Sequence, residues 1–448
     1  MALTDLILFP VYVLIFYLIF SARRKRITDP VLRRYHLHGF WIKVLGTVAF
    51  TFFHLFITRG DTTALYYTEG INITKLILQD ITNVKMLFTS GKHFDENLLA
   101  DSFNRGYFKN ESNYFITILV SFFSFFTFGS YSVINLVFSL ISFSGVWRLY
   151  KFFYEQYPKL HRQLAIAIIY LPTFIFWSSG ILKDPLCTGM LGWFTYSVYC
   201  AFIKRTGFTR NIIIAVISGA ILGLVKSYIL VAYIPFFTIY LVMMNLKQMQ
   251  QTASKIILLG SLIFIGGGVM ALIAGKLQEV LGNLALDKLT ESVKTTQQNF
   301  MGIAELAESA FTLGVEFDGT PESLVKIAPA AVTASLFRPY LWESKKISTL
   351  LSSLESLAFM LFTLYVFLRA GPIRFLARIF NDPMIMYCFF FAILFALFVG
   401  ATTLNFGTLV RYKIPCLPFY LIALILILEK SKEHKRLKQA AKNTRENN

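Results

Sequence analysis

The chain repeatedly runs for about twenty predominantly apolar residues, the length of helix that crosses a hydrocarbon core about 30 Å thick. Such runs lie near 4–21, 41–58, 131–150, 162–181, 185–203, 211–226, 227–245, 256–275, 347–369, 383–401 and 413–429. Inside a bilayer each backbone N–H and C=O must be paired within the segment, so each run is expected to be helical. The fold class that follows is all-α: a polytopic integral membrane protein of about eleven transmembrane helices, in a range of roughly 10–13. A shorter apolar run, 113–128, ends at Gly129-Ser130 and fits a re-entrant or interface-lying helix; the parity of the count turns on it. With 56% hydrophobic residues, 15% charged residues and 46 Phe, a soluble domain would lack the polar surface to cover itself. Disorder is excluded by the same composition.

The net charge of +18 has a topological explanation. Segments 22–43, 148–162, 204–210, 245–255, 369–382 and 429–448 hold 26 Lys and Arg against 6 acids. The two long loops, 59–112 and 276–346, hold 13 against 16. Under the positive-inside rule the first set is cytoplasmic and the long loops face outward. The N-terminus is then outside and the C-terminus inside. Nucleic acid need not be invoked to explain the basic excess. Residues 1–429 read as a single transmembrane domain, and 430–448 as a basic cytoplasmic tail. The first apolar run precedes its charges, Arg23-Arg24-Lys25-Arg26, the reverse of a signal peptide, so it is read as a retained helix. Cys187, Cys200, Cys388 and Cys416 form no CxxC pair, which argues against disulfides and zinc.

Ionisable residues at or near membrane depth are the candidates for chemistry. Asp61, in RGDTTALYYTEG at the outer end of the second run, suits a general base on an incoming hydroxyl. Its simpler alternative is a cap on the following helix. Lys183 and Asp184, in FWSSGILKDP, lie between two spans with almost no loop. Lys183 suits a lipid phosphate or snorkels; Asp184, before Pro185 as the first helical residue, has a capping alternative. Lys226, in GLVKSYIL, divides evenly between snorkelling and a phosphate contact. Arg338 to Glu343, in SLFRPYLWE, suits an anion beside a sugar face or an aromatic-belt anchor. Arg411 and Lys413, at the mouth of the last span, go against the positive-inside pattern, and an arginine fork suits phosphate. Together these point to an outward-facing site for an anionic amphiphile. A divalent cation would find Asp61 as its one named oxygen ligand. Asp80, Asp95, Glu96 and Asp101 are open choices for a second carboxylate, and His54 reads as a core histidine. No GxSxG, Walker A or HExxH sequence occurs.

The order of these elements resembles the GT-C superfamily of membrane glycosyltransferases, in the branch of protein O-mannosyltransferases and aminoarabinose transferases. Gly60-Asp61 with Tyr66 and Tyr67 match the start of that family's first outer loop. Phe128-Gly129, Trp147-Arg148-Leu149-Tyr150, Pro172 with Ser178 and Asp184, Gly223-Leu224 with Lys226, and Arg411-Tyr412 with Pro415 follow in the family's order. The resemblance covers residues 41–240 and 400–430, and no single motif in it is specific. It implies a polyprenyl-phosphate-linked sugar as donor and Asp61 as base on an acceptor hydroxyl. Lys183, Lys226 or Arg411 would meet the lipid phosphate. The acceptor would be a glycan, lipid or protein, and the compartment a bacterial inner membrane with the site periplasmic. The chain departs from the family where Asp61-Thr62 stands in place of an acid pair. Acceptor recognition falls to loop 276–346 or a partner.

Three other readings compete. A polysaccharide polymerase or O-antigen-ligase-like enzyme would rely first on Arg338 and Arg411. A transporter or flippase would carry ionisable residues near mid-membrane, where Glu355 is the main one in this sequence. A structural subunit of a surface-assembly complex would need no site.

Overall fold

A computed structural model describes residues 3–58, 61–91, 107–248, 297–298, 310–314, 320–344 and 347–446. Among these the regular secondary structure is helical, with no strand and one isolated bridge between Ala310 and Asn405. Among the described residues six helices are long and apolar enough to span a membrane: Asp5–Lys25, Pro30–Ile57, Tyr131–Gln156, Phe208–Leu246, Thr349–Ala370 and Pro383–Thr402. A pair bent by 62°, Phe406–Tyr412 and Leu417–Leu437, makes a seventh if it counts as one span. The protein is an integral membrane protein by this measure. Large apolar side chains face outward along these helices, Leu6, Leu14 and Leu18 on the first and Leu361, Leu364 and Leu368 on a later one. A lipid solvent leaves such residues without cost.

Several expected spans take another form. The run 162–181 is broken into two short helices, because Pro172 removes a helix donor and starts a new helix instead. The run 185–203 is a helix of 20 residues, Lys183–Phe202, that carries its two charges and its proline in the first turn. Runs 211–226 and 227–245 are two helices that meet at Lys226, where the backbone leaves the helical region with φ −149° and ψ 78°. The run 256–275 lies outside the described residues. The second run starts earlier than its apolar stretch. Asp29 caps it through the Leu32 N–H at 2.9 Å and Pro30 occupies the first turn, so Lys43 lies inside the helix rather than in a loop.

The described chain gathers into two compact units, Met1–Ser227 and Tyr228–Asn448. The first contains α1 (Leu3–Lys25), α2 (Pro30–Phe52), α3 (Thr68–Gln79), α4 (Glu111–Thr127), α5 (Tyr131–Gln156), α6 (His161–Ile168), α7 (Pro172–Trp177), α8 (Lys183–Phe202) and the first part of α9 (Phe208–Gln248). At its centre α5 packs on α8 and α2. The α5–α8 contact is backbone to backbone. A Cβ on Gly145 would stand 1.7 Å from the Gly189 carbonyl oxygen, and one on Gly192 would stand 2.0 Å from that of Gly145. Small residues let helices approach this closely where no hydrophobic force drives them together.

The second unit contains the rest of α9, then α10 (Pro321–Phe337), α11 (Ile347–Ala370), α12 (Pro372–Asn381), α13 (Pro383–Thr402), α14 (Phe406–Tyr412) and α15 (Leu417–Glu446). It has its own close crossing: a Cβ on Gly400 of α13 would stand 2.0 Å from the Ala331 carbonyl oxygen of α10. Its core is aromatic. Tyr233, Tyr387, Phe391 and Phe419 meet mostly edge to face, with centroids 4.8–5.9 Å apart, and the Tyr387 hydroxyl bonds that of Tyr233.

Candidate functional site

In the first unit the chain between α7 and α8 is non-helical and buried. A stretch like that survives at membrane depth only if its backbone groups find partners in the protein. Here they do. The Ile181 N–H donates to Asn135 Oδ1 at 2.8 Å, and Asn135 Nδ2 donates to Thr51 at 3.1 Å. Ser178 and Ser179 donate back to the carbonyls of Phe174 and Ile175 at 2.5 and 2.6 Å. Gly180 lets Phe50 lie against the turn, since a Cβ there would fall 1.9 Å from that ring.

Lys43 of α2 holds the same turn. Its Nζ donates to the Ser178 carbonyl at 2.8 Å, to Ser178 Oγ at 2.5 Å and to Ser142 Oγ at 3.4 Å, and the residue is 3% exposed. A lysine on the last carbonyls of a short helix satisfies acceptors that the helix cannot. From Ser142 the hydroxyl line continues to Thr188 at 2.9 Å, which donates to the Asp184 carbonyl at 3.0 Å. Sequence reasoning passed over Lys43 by counting it with the basic loop. The Asp29-Pro30 pair, a cap and first-turn signature, would have placed it within the helix.

α8 begins at Lys183, two residues before the proline expected to open it, so Asp184 sits inside the first turn and Leu182 takes the cap position. An acid in a first turn meets the positive end of the helix dipole. Asp184 also meets Lys226, whose Nζ lies 2.6 Å from its Oδ1, both side chains buried. This ion pair joins the start of α8 to the break in α9. Lys183 Nζ donates to Ser112 Oγ at 2.6 Å, at the N-terminus of α4. Next to Ser112, Asn113 accepts from the Tyr66 hydroxyl at 3.2 Å and donates to the Tyr107 carbonyl at 2.8 Å, while Tyr107 donates to Tyr66 at 2.9 Å. Thr62 and Tyr131 bond through their hydroxyls at 3.1 Å. These bonds link the start of α8 to the start of α4 and the break in α9, and the turn holding Thr62 and Tyr66 to the starts of α4 and α5.

The Asp61 turn reaches this group through its own helix. Residues Phe53–Ile57 and Asp61–Tyr67 are π-helical, a wide form that is rare and concentrated at functional sites. Gly60 and the Asp61 side chain lie outside the described residues, as do His93, Asp95, Glu96 and Asp101. Thr62 and Tyr66 of the same π-turn are in contact with the cluster. Of the open carboxylates, Asp80 is exposed and caps the short helix Ile81–Phe88 through the Thr82 N–H at 2.9 Å. That bond holds its pKa below the usual carboxylate value. Glu69, not singled out from sequence, is buried in the first turn of α3. The available signal was an acid beside glycine, Glu69-Gly70, in an aromatic stretch. His54 is buried among the rings of Phe50, Phe53 and Trp177.

The second unit holds the other candidates. Arg338 Nε lies 2.9 and 3.1 Å from the Glu343 carboxylate oxygens, and Nη2 bonds it as well. Nη1 donates to the Thr312 carbonyl at 2.9 Å. The guanidinium lies 4.4 Å from the Phe311 ring centroid and 5.2 Å from that of Phe406. The two residues therefore meet each other in a fork that fixes the turn after α10. Lys413 is buried, donating to the Arg338 carbonyl at 2.9 Å and to Ser356 at 3.0 Å. Arg411 is half-buried, 5.8 Å from the Tyr412 ring centroid.

Among the described residues, no three His, Cys, Asp or Glu side chains come together as a metal site. Comparison with known protein families, characterised proteins and solved structures found no match.

Proposed function

We propose that the protein moves a sugar from a polyprenyl-phosphate-linked donor to an acceptor hydroxyl, on the periplasmic face of a bacterial inner membrane, as the resemblance to GT-C glycosyltransferases implies. The observation that carries this reading is the Lys183–Ser112 bond, which ties the cationic start of α8 to the end of α4 that receives Tyr66, five residues after Asp61. Asp61 takes the proton of the acceptor hydroxyl as its oxygen attacks the anomeric carbon. The bond from that carbon to the phosphate oxygen breaks, and the lipid phosphate departs with the electron pair. Lys183 stabilises the charge that develops on it, and the Asp184–Lys226 pair sets the field beside it. A single displacement inverts the anomeric centre.

The test is sugar transfer from a polyprenyl-phosphate donor pool by membranes holding equal amounts of wild type or Asp61→Asn. Loss of general-base catalysis is expected to lower the rate about 100-fold or more. Full transfer by the mutant removes Asp61 from the mechanism.

A second reading, a transporter, is favoured by one observation: Lys43 lies inside a spanning helix, bonded to Ser178 and Ser142. It predicts uptake of an anionic solute into proteoliposomes that Lys43→Met abolishes. Absence of uptake by the wild type across phosphate-bearing and sugar solutes removes it.

A further inference from the structure

The second unit carries a basic, amphipathic end that neither reading uses. Segments 369–382 and 429–448 hold ten Lys and Arg against four acids. Within them α12, PIRFLARIFN, is short, opens with Pro372 after Gly371, and separates its residues by face. Phe375 and Ile379 pack inward. Ile373, Leu376 and Phe380 are 83%, 55% and 60% exposed, and Arg374 and Arg378 lie on the opposite face. Such a helix lies flat at the membrane surface with its apolar side in the acyl chains. That orientation sets Arg378 at headgroup height.

Behind Arg378 a cleft of about 310 Å³ opens between α12 and α15, lined by Arg378, Asp382, Lys430, Glu433, His434 and Leu437. Arg378 is anchored by one nitrogen, Nη1, on the Ile427 carbonyl at 3.0 Å. Lys430 pairs with Asp382 at the cleft edge, and the Asp382 Oδ1 atom caps α13 through Met384 and Ile385. Lys435, one turn beyond, donates to the Arg369 carbonyl at 3.4 Å. Burial, and to a smaller extent the neighbouring Arg374 charge, press the Arg378 pKa below its ordinary value, while Glu433 in the same cleft pulls the other way.

We propose that this cleft binds the headgroup of an anionic phospholipid, with the phosphate between Arg378, Lys430 and His434. An arginine fork matches phosphate oxygens in two-point geometry, and basic residues beside membrane helices select anionic lipid. The volume fits a headgroup, and the apolar side of α12, laid in the acyl chains, holds the cleft at the membrane surface.

The test uses the full-length protein in nanodiscs of phosphatidylcholine containing a minority of phosphatidylglycerol. Retained lipid is measured by native mass spectrometry after transfer to detergent. The wild type is expected to retain phosphatidylglycerol preferentially. Arg378→Gln and Lys430→Gln are each expected to lower that preference about fivefold. Arg436→Gln, an exposed cation outside the cleft, keeps it. Thermal unfolding in pure phosphatidylcholine checks that the variants are folded; should Lys430→Gln unfold, Arg378→Gln alone decides. Equal retention of the two lipids by the wild type overturns the proposal. So does an equal loss in Arg436→Gln, which would mean diffuse attraction. Displacement by inorganic phosphate as effective as by phosphatidylglycerol would assign the cleft to a soluble anion instead.

Discussion

In the first unit Asp184 pairs with Lys226 forty-two residues away; in the second Arg338 pairs with Glu343 only five residues away. The first pair ties a helix start to a break in another helix and is buried on both sides. The second braces one turn and keeps about a sixth of each side chain exposed. Around them the units differ in the same sense. The first threads a line of serines, threonines and a lysine through its interior, while the second fills its core with interlocking aromatic rings. Burying charge is expensive unless each group is paired and bonded, and holding the partners from separate helices demands a rigid scaffold. Among the described residues the second unit buries one cation, Lys413, on the Arg338 carbonyl and Ser356, whereas the first buries two lysines and a carboxylate, bonded between separate helices. This is why the search for chemistry belongs in the first unit.

The comparison is most directly broken at what the two units share, their close helix crossings. Gly145→Val drives a side chain into the Gly189 backbone, where no rotamer gives relief, and is expected to cost on the order of 4–5 kcal/mol. Gly400→Val against Ala331 is expected to cost as much. Chemical unfolding in micelles reads both, and a small loss in only one would show that the crossings are not equivalent. Next comes Lys226→Met, which strands the buried Asp184 carboxylate and is expected to cost about 3–5 kcal/mol. The double change with Asp184→Leu should recover much of that, and a double change no better than the single would mean that the pair is not the unit of stability. The smallest effect belongs to the second unit. Arg338→Lys keeps the charge but loses the fork on Glu343 and the contact with Phe311, for about 1–2 kcal/mol. A loss as large as that of Lys226→Met would erase the contrast between buried and half-exposed pairs.

Much of the architecture was legible where apolar residues run without interruption. The helices at Tyr131–Gln156 and Pro383–Thr402 fall within a few residues of the apolar runs. The break at Lys226 coincides with the boundary between two expected spans. Pro172 lies inside one expected span, and its effect is a full break followed by the Ser178–Leu182 turn. The site was legible only in part. Lys183, Asp184 and Lys226 stood out as rare charges, but nothing in their spacing says that Asp184 and Lys226 neutralise one another. Arg338 and Glu343 stood out together, as an anion contact or an aromatic-belt anchor, but their spacing did not say that they pair with each other.

The amino-acid sequence by itself determined the solvent, a lipid bilayer, the all-helical class, and the positions where charge is scarce enough to matter. These follow from local quantities: run length, hydropathy and the obligation of each backbone group to bond within its own segment. Only the tertiary structure decided which scarce charges meet, that Lys43 secures a turn 135 residues away, and that the Asp61 turn joins the cluster through Tyr66 and Asn113. The reason is that desolvated polar groups must be satisfied by whichever partners the packing brings near, and glycine-lined crossings such as Gly145 on Gly189 set that packing across distances that no local pattern encodes.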